Sequence, residues 1–177
     1  VTVKAKLFRD KKSVSPAAVR TFEKVEPVKS VSVAEPLPGI RYSYYEGDWN
    51  ELPDFKKLEP IACGFADSVS VEPKINQDHF GLVFRGFIQI PETSVYTFYT
   101  DSDDGSRLYI HDSLVVDNDG LHGKTLKEGE IPLEKGFHPI RIEFFEKTGG
   151  DILNLFVKDK TGNKRSMTID ELFYTNE

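Results

Sequence analysis

The segment Phe80–Ile90, FGLVFRGFIQI, constrains this chain more than any other. Phe80, Leu82, Phe84 and Ile88 fall on one side of it if it is extended, and Val83 and Phe87 on the other. Successive side chains of a strand point to opposite faces, so a strand apolar on both sides must be covered on both. It belongs in the middle of a layered structure. Shorter alternating runs surround it: Ile40–Tyr44, with Ile40, Tyr42 and Tyr44 on one side, then Val95–Thr100, Gly129–Leu133, Pro139–Glu146 and Ile152–Lys158. The connections Pro91–Ser94 and Lys147–Gly150 have hairpin length and turn chemistry, and Asp159–Asn163 reads as another turn. Helix signals are sparse: one turn about Asp54–Leu58, and a capping-box spacing at Thr168 and Glu171 that predicts a helical turn running to Phe173 or Tyr174. Short strands at regular spacing with little helix predict an all-β fold, an antiparallel β-sandwich.

The leading residues read differently. Val1–Phe8 alternates, Ala17–Val25 is extended in character, and Arg9–Pro16 is a polar connection between them. A two-stranded hairpin is marginal by itself in water. Residues 1–26 are therefore expected to be a strand pair at the tail of a neighbouring, preceding domain, in a chain that is a fragment or a processed product. Pro27, Pro36 and Pro38 mark 27–38 as a linker, which leaves 39–177 as the sandwich.

The 177 residues, with thirteen Phe and seven Tyr, suffice for a core. A net charge of −6 disfavours nucleic acid as a partner, because that would call for a basic face. Lys and Arg are scattered singly among acids, the pattern of a solvated surface. No apolar run approaches the ~20 residues of a membrane span. The single cysteine, Cys63, excludes an internal disulfide and a cysteine metal cluster; it reads as a small buried hydrophobe.

Chemistry concentrates in Asp101–Gly123, DSDDGSRLYIHDSLVVDNDGLHG. If Arg107–His111 and Leu114–Val116 pair across a turn at Asp112-Ser113, two acidic loops reach the same end of the hairpin. Several motifs can be refused there. Gly123-Lys124-Thr125 lacks the first glycine of a phosphate loop and the helix after it. Gly105 occupies the fifth ligand position of an EF-hand and Ser106 its invariant glycine. The four histidines, His79, His111, His122 and His138, lack zinc spacing, and no Gly-x-Ser-x-Gly elbow occurs. A rim of loop aspartates without an apolar cleft is a poor place to raise a carboxyl pKa for glycosidase chemistry, so no catalytic residue is assigned.

Adjacent Asp103 and Asp104 repel one another and would be stabilised by a cation between them. Calcium, a hard ion taking about 6–8 oxygens, suits them, with Asn118, Asp119 and nearby carbonyls completing the shell and sugar hydroxyls at open positions. The candidate metal ligands are Asp103, Asp104 and Asp119. The candidate carbohydrate-binding residues are those three with Asn118, His122 and Trp49, a tryptophan that otherwise reads as core. The alternative is that the aspartates accept backbone N–H bonds and fix tight turns, a reading favoured for Asp101 and Asp117. His122 would then brace the loops.

Gly39–Gly47 (GIRYSYYEG), Tyr96–Ile110 (YTFYTDSDDGSRLYI), Gly136–Glu146 (GFHPIRIEFFE) and Leu153–Phe156 resemble, in that order, the segments of the protective-antigen-type domain. This β-sandwich is named for the amino-terminal fragment of the anthrax toxin component. The resemblance covers Gly39 to about Lys158. It implies a carbohydrate-binding or accessory module of the kind found in bacterial toxins, yeast adhesins and glycosidases, and hence an extracytoplasmic location. In the adhesin branch the adjacent aspartates bind calcium, a role that would fall to Asp103 and Asp104. Val116–Gly123 joined to the leading segment resembles the tail of secreted bacterial β-N-acetylhexosaminidases, where the module follows a catalytic barrel. Three readings follow: a non-catalytic module binding an N-acetylhexosamine-containing glycan beside the parent's catalytic domain; a structural module packing on that domain; and a calcium-dependent adhesin-type lectin.

Overall fold

The computed structural model describes residues 1–21, 23–158 and 162–176. Its strands, in chain order, are β1 (Thr2–Ala5), β2 (Phe8–Arg9), β3 (Lys12–Ser13), β4 (Ala18–Thr21), β5 (Leu37–Pro38), β6 (Ile40–Glu46), β7 (Ala62–Ala66) and β8 (Phe80–Ile90). They continue with β9 (Ser94–Asp103), β10 (Ser106–Ile110), β11 (Ser113–Asn118), β12 (Thr125–Leu133), β13 (Gly136–Glu146), β14 (Ile152–Lys158), β15 (Lys164–Ser166) and β16 (Leu172–Tyr174). The helical segments among the described residues are two short turns, Phe55–Lys57 and Ile169–Glu171.

Two sheets make an all-β sandwich. The larger runs β11-β10-β13-β8-β16-β5, with β6 also on β8 and β7 on β6; the smaller runs β12-β9-β14-β15. The doubly apolar strand lies in the middle of the larger sheet. β13 follows one edge of β8 in unbroken register from Glu146↔Phe80 to Gly136↔Ile90. The other edge is shared, β6 taking Phe80–Arg85 and β16 taking Phe87 and Ile88. Phe80, Leu82, Phe84 and Ile88 point into the core between the sheets with Phe98, Leu108, Ile142 and Leu155. Val83, on the opposite face, packs with Tyr45, Phe145, Leu52 and Phe55 in a second cluster. The loop after β6 thus folds over one end of the outer face and satisfies the other half of the two-sided pattern.

Several local expectations need correction. Pro91–Ser94 and Lys147–Gly150 do not close hairpins: β8 and β13 belong to the larger sheet, β9 and β14 to the smaller. Both connections carry the chain across the sandwich. The β10–β11 hairpin turns at His111-Asp112, with Ile110 opposite Ser113 and His111 at φ 53°. This is one residue earlier than the spacing suggests. The terminal helical turn stops at Glu171, whose carboxylate accepts from the Thr168 N–H at 2.9 Å; Leu172–Tyr174 then pairs with β8 and β5. Cys63 is exposed rather than buried, because β7 is an edge strand and Cys63 lies on its outer side. The turn expected at Asp159–Asn163 falls largely on 159–161, outside the described residues.

β1 pairs with β4 from Thr2↔Thr21 to Ala5↔Ala18, and all residues of both strands are exposed. The proline-marked segment is anchored at several points. Val28 donates to the Pro132 carbonyl and Val31 to that of Phe137, both at 2.8 Å, before β5 joins β16. Among the described residues no helix is long and apolar enough to cross a membrane.

A carboxylate rim where three crossovers meet

Three connections between the sheets emerge at one end of the sandwich. Asp104-Gly105 links β9 to β10, Asp119–Lys124 links β11 to β12, and Lys147–Asp151 links β13 to β14. The register Ser106↔Asn118 brings the two acidic loops together. Gly105 is where they touch: a Cβ there would stand 2.9 Å from the Gly120 nitrogen, 3.0 Å from Asp119 Oδ1 and 2.5 Å from the Phe145 ring. The glycine of Asp-Asp-Gly therefore serves close approach. The Asp103–Asp104 peptide is cis.

Asp103 and Asp104 converge with a residue the sequence did not nominate, Glu146. One carboxylate oxygen from each lies within 4.8 Å of the others. Glu146 is inaccessible to solvent and Asp104 nearly so. Glu146 Oε2 accepts the Asp104 N–H at 3.1 Å, whereas Oε1 is buried without a hydrogen-bond partner among the described residues. Burial first, then the charges of Asp104 and Asp103, push the Glu146 carboxyl up to about 8. Asp103 is also raised, by burial and then by Asp104, against a backbone hydrogen bond from Lys124 and the charge of His122. A buried carboxylate of this kind either stays protonated or meets a cation.

Strand parity could have found Glu146. It follows Ile140, Ile142 and Phe144 at intervals of two, and all three are core residues. It therefore points inward, while an acid at a strand end ordinarily reads as surface.

The remaining candidates are distributed around this group. Asp104 Oδ1 accepts the His122 N–H at 3.0 Å and Oδ2 the Lys147 N–H at 3.1 Å. Asp119 is not in the three-carboxylate group: its Oδ1 accepts from Leu52 N and Gly120 N at 2.8 and 2.7 Å, and Oδ2 lies 3.1 Å from Arg107. His122 braces the loop, with Nε2 2.9 Å from the Asn118 carbonyl and Nδ1 3.0 Å from that of Gly123. Asn118 donates through Nδ2 to Ser102 Oγ and the Thr125 carbonyl, both at 2.9 Å, leaving a buried Oδ1 without a partner among the described residues. Asn118, Asp119 and His122 line an open hollow of 560 Å³ with Asn50, Glu51 and Arg107. Trp49 lies outside that lining; it is half-buried and meets Phe55 edge-on at 5.9 Å. Asp101 and Asp117 pair with Lys124 and Arg107 respectively.

Residues 38–170 match the model of the PA14 domain. The chain belongs to the PA14 domain family. It is 24% identical over 137 residues to the anti-sigma-I factor RsgI3 of Acetivibrio thermocellus, covering 76% of this chain and 21% of that protein. It is 25% identical over 138 residues to a beta-hexosaminidase of Porphyromonas gingivalis, covering 72% and 17%. The chain thus spans about a fifth of the length of these relatives. Among solved structures, the PA14 sugar-binding domain from an RTX adhesin superposes with a TM-score of 0.67 at 15% identity, over 78% of this chain and 99% of that domain. The PA14 fold thus accounts for the sandwich.

Proposed function

We propose that this chain is a non-catalytic carbohydrate-binding module of a larger secreted glycoside hydrolase, a β-N-acetylhexosaminidase by the likeness of its relative, and that its rim holds calcium. The observation that carries this reading is the buried Oε1 of Glu146, without a hydrogen-bond partner among the described residues, beside Asp103 and Asp104. Three clustered carboxylates are a hard, oxygen-only donor set, which suits calcium. Asp103, Asp104 and Glu146 would hold the ion. Calcium, when bound, supplies open coordination positions for vicinal hydroxyls of a sugar. The hollow lined by Asn118, Asp119 and His122 opens at the same end and would seat the adjoining ring.

A second reading has its own observation. Both oxygens of Asp104 already accept backbone N–H bonds, as they would in a brace for a module that packs on its catalytic domain and binds no sugar. Calorimetry of this chain with N-acetylhexosamine oligosaccharides, with and without calcium, separates the two. The proposed reading expects saturable heat that a chelator abolishes and that the Asp103→Asn/Asp104→Asn variant lacks. Equal binding by that variant removes the rim from the site; silence with every glycan favours the brace.

A further inference from the structure

Arg41, Arg85 and Arg141 are far apart in the sequence, but the register of the larger sheet puts them side by side. Arg41 stands opposite Arg85 across β6 and β8, and Arg85 opposite Arg141 across β8 and β13. The row extends at both ends into aromatic residues, Tyr109 opposite Arg141 and Phe65 opposite Arg41. Directly opposed residues share a face, and Arg85 shares its side with Val83 and Phe87, the outer one. Leu52 and Phe55 cover Val83, whereas Arg85 is exposed.

Like charges directly opposite one another in a sheet are destabilising, so three aligned arginines oppose folding unless each is neutralised. Two have partners. Arg141 pairs with Glu143 and lies 3.8 Å from the centre of the Tyr109 ring. Arg41 donates to the Thr175 carbonyl and faces Phe65 at 5.5 Å and Tyr174 at 6.0 Å. Arg85, between them, is exposed and makes no hydrogen bond or ion pair among the described residues. The residues directly opposite it and two along on each strand include one acid, Glu143, which Arg141 already engages. Arg41, Arg85, Arg141, Phe87, Pro139 and Tyr174 line a groove of 410 Å³, and a further hollow of 460 Å³ continues past Arg41 and Arg85 toward Phe65.

We propose that this arginine row is a second ligand site, for a saccharide chain bearing carboxylates. The row crosses two strand spacings, about 10 Å, which suits a ligand with more than one anionic group. Guanidinium forks match carboxylates in the plane, and aromatic faces flank them where sugar rings would lie. An extended peptide is a poorer fit, because strand addition needs a free sheet edge and β8 and β13 are paired on both sides along the row. A nucleic-acid backbone is disfavoured by the −6 net charge of the chain. The site is separate from the rim and stands whether or not the rim binds sugar.

The test is titration with alginate oligosaccharides, run in chelator so that a calcium-loaded rim cannot contribute. Wild type binds, and added salt weakens binding. Carboxyl-reduced oligomers of the same length do not bind. Arg85→Ala lowers affinity about tenfold or more, the loss of a charge-assisted bond, and Arg85→Lys recovers part of it. The melting temperature of Arg85→Ala is equal to or above that of wild type, since a like charge has been removed from the row; a purely structural arginine would lower it. Asp103→Asn/Asp104→Asn binds alginate as wild type does. The inference is overturned by absent binding, by equal binding of the reduced oligomers, by an unaffected Arg85→Ala, or by polyglutamate binding as tightly as alginate. Loss of alginate binding in the aspartate variant alone would return the activity to the rim.

Discussion

Glu146 is the residue on which the rim turns. Its carboxyl is raised from 4.5 to about 8 by burial and by Asp104 and Asp103, so in chelator the folded state holds a proton that the unfolded chain releases near 4.5. Between those values the native state binds more protons, and stability falls as pH rises. The melting temperature in chelator is therefore expected to decline from pH 5 to pH 8, and Glu146→Gln to flatten that decline by removing the ionisable group. Calcium should stabilise wild type more at pH 8 than at pH 5, where protons compete for the same oxygens. A melting temperature independent of both pH and calcium would mean that Glu146 carries neither proton nor ion. The residue scale also shows what sequence reading misses. Asp103 and Asp104 announce themselves by adjacency, whereas Glu146 and Arg85 are single charged residues in strands, and only parity and register reveal what faces them.

At the scale of elements, the strands themselves were legible because a period of two is local. Ile152–Lys158 matches its predicted bounds, and Phe80–Ile90 is central as its two apolar faces require. Which sheet a strand joins was not legible, because a four-residue connection can close a hairpin or cross a sandwich with equal ease. Two predicted hairpins proved to be crossovers for this reason, and one of them, at Lys147–Gly150, delivers Lys147 N–H to Asp104. β16 was lost to a helix signal that is genuine but three residues long. The crossovers also make Gly105 sensitive. Gly105→Ala would push a methyl against the Gly120 nitrogen and the Phe145 ring, an overpacking that costs about 1–3 kcal/mol. Chemical denaturation should register that loss, and calorimetry a weaker calcium response, because the two loops are forced apart. A variant with wild-type stability would show that the rim adjusts more freely than its contacts suggest.

Across the whole molecule, residues 27–38 decide where the sandwich unit begins. The sequence places a linker at 27–38, yet that segment holds on to the sandwich. Val28 N–H donates to Pro132 and the Glu134 N–H to the Val28 carbonyl, Val31 donates to Phe137, Val28 packs against the main core, and β5 extends the larger sheet beyond β16. The exposed pair β1 and β4 makes no strand pairing with either sheet among the described residues. These facts predict a sharp contrast between two truncations. A chain starting at residue 27 should keep the melting temperature and ligand binding of the full 177 residues, because only the exposed strand pairs are gone. A chain starting at residue 39 loses three backbone hydrogen bonds, each contributing about 0.5–1.5 kcal/mol net, together with β5 and the burial of Val28. At about 2–4 °C per kcal/mol for a domain of this size, scanning calorimetry resolves that difference easily. Equal melting of the two truncations would make 27–38 a linker after all; a large loss in the first would mean that the leading strands, exposed as they are, stabilise the sandwich.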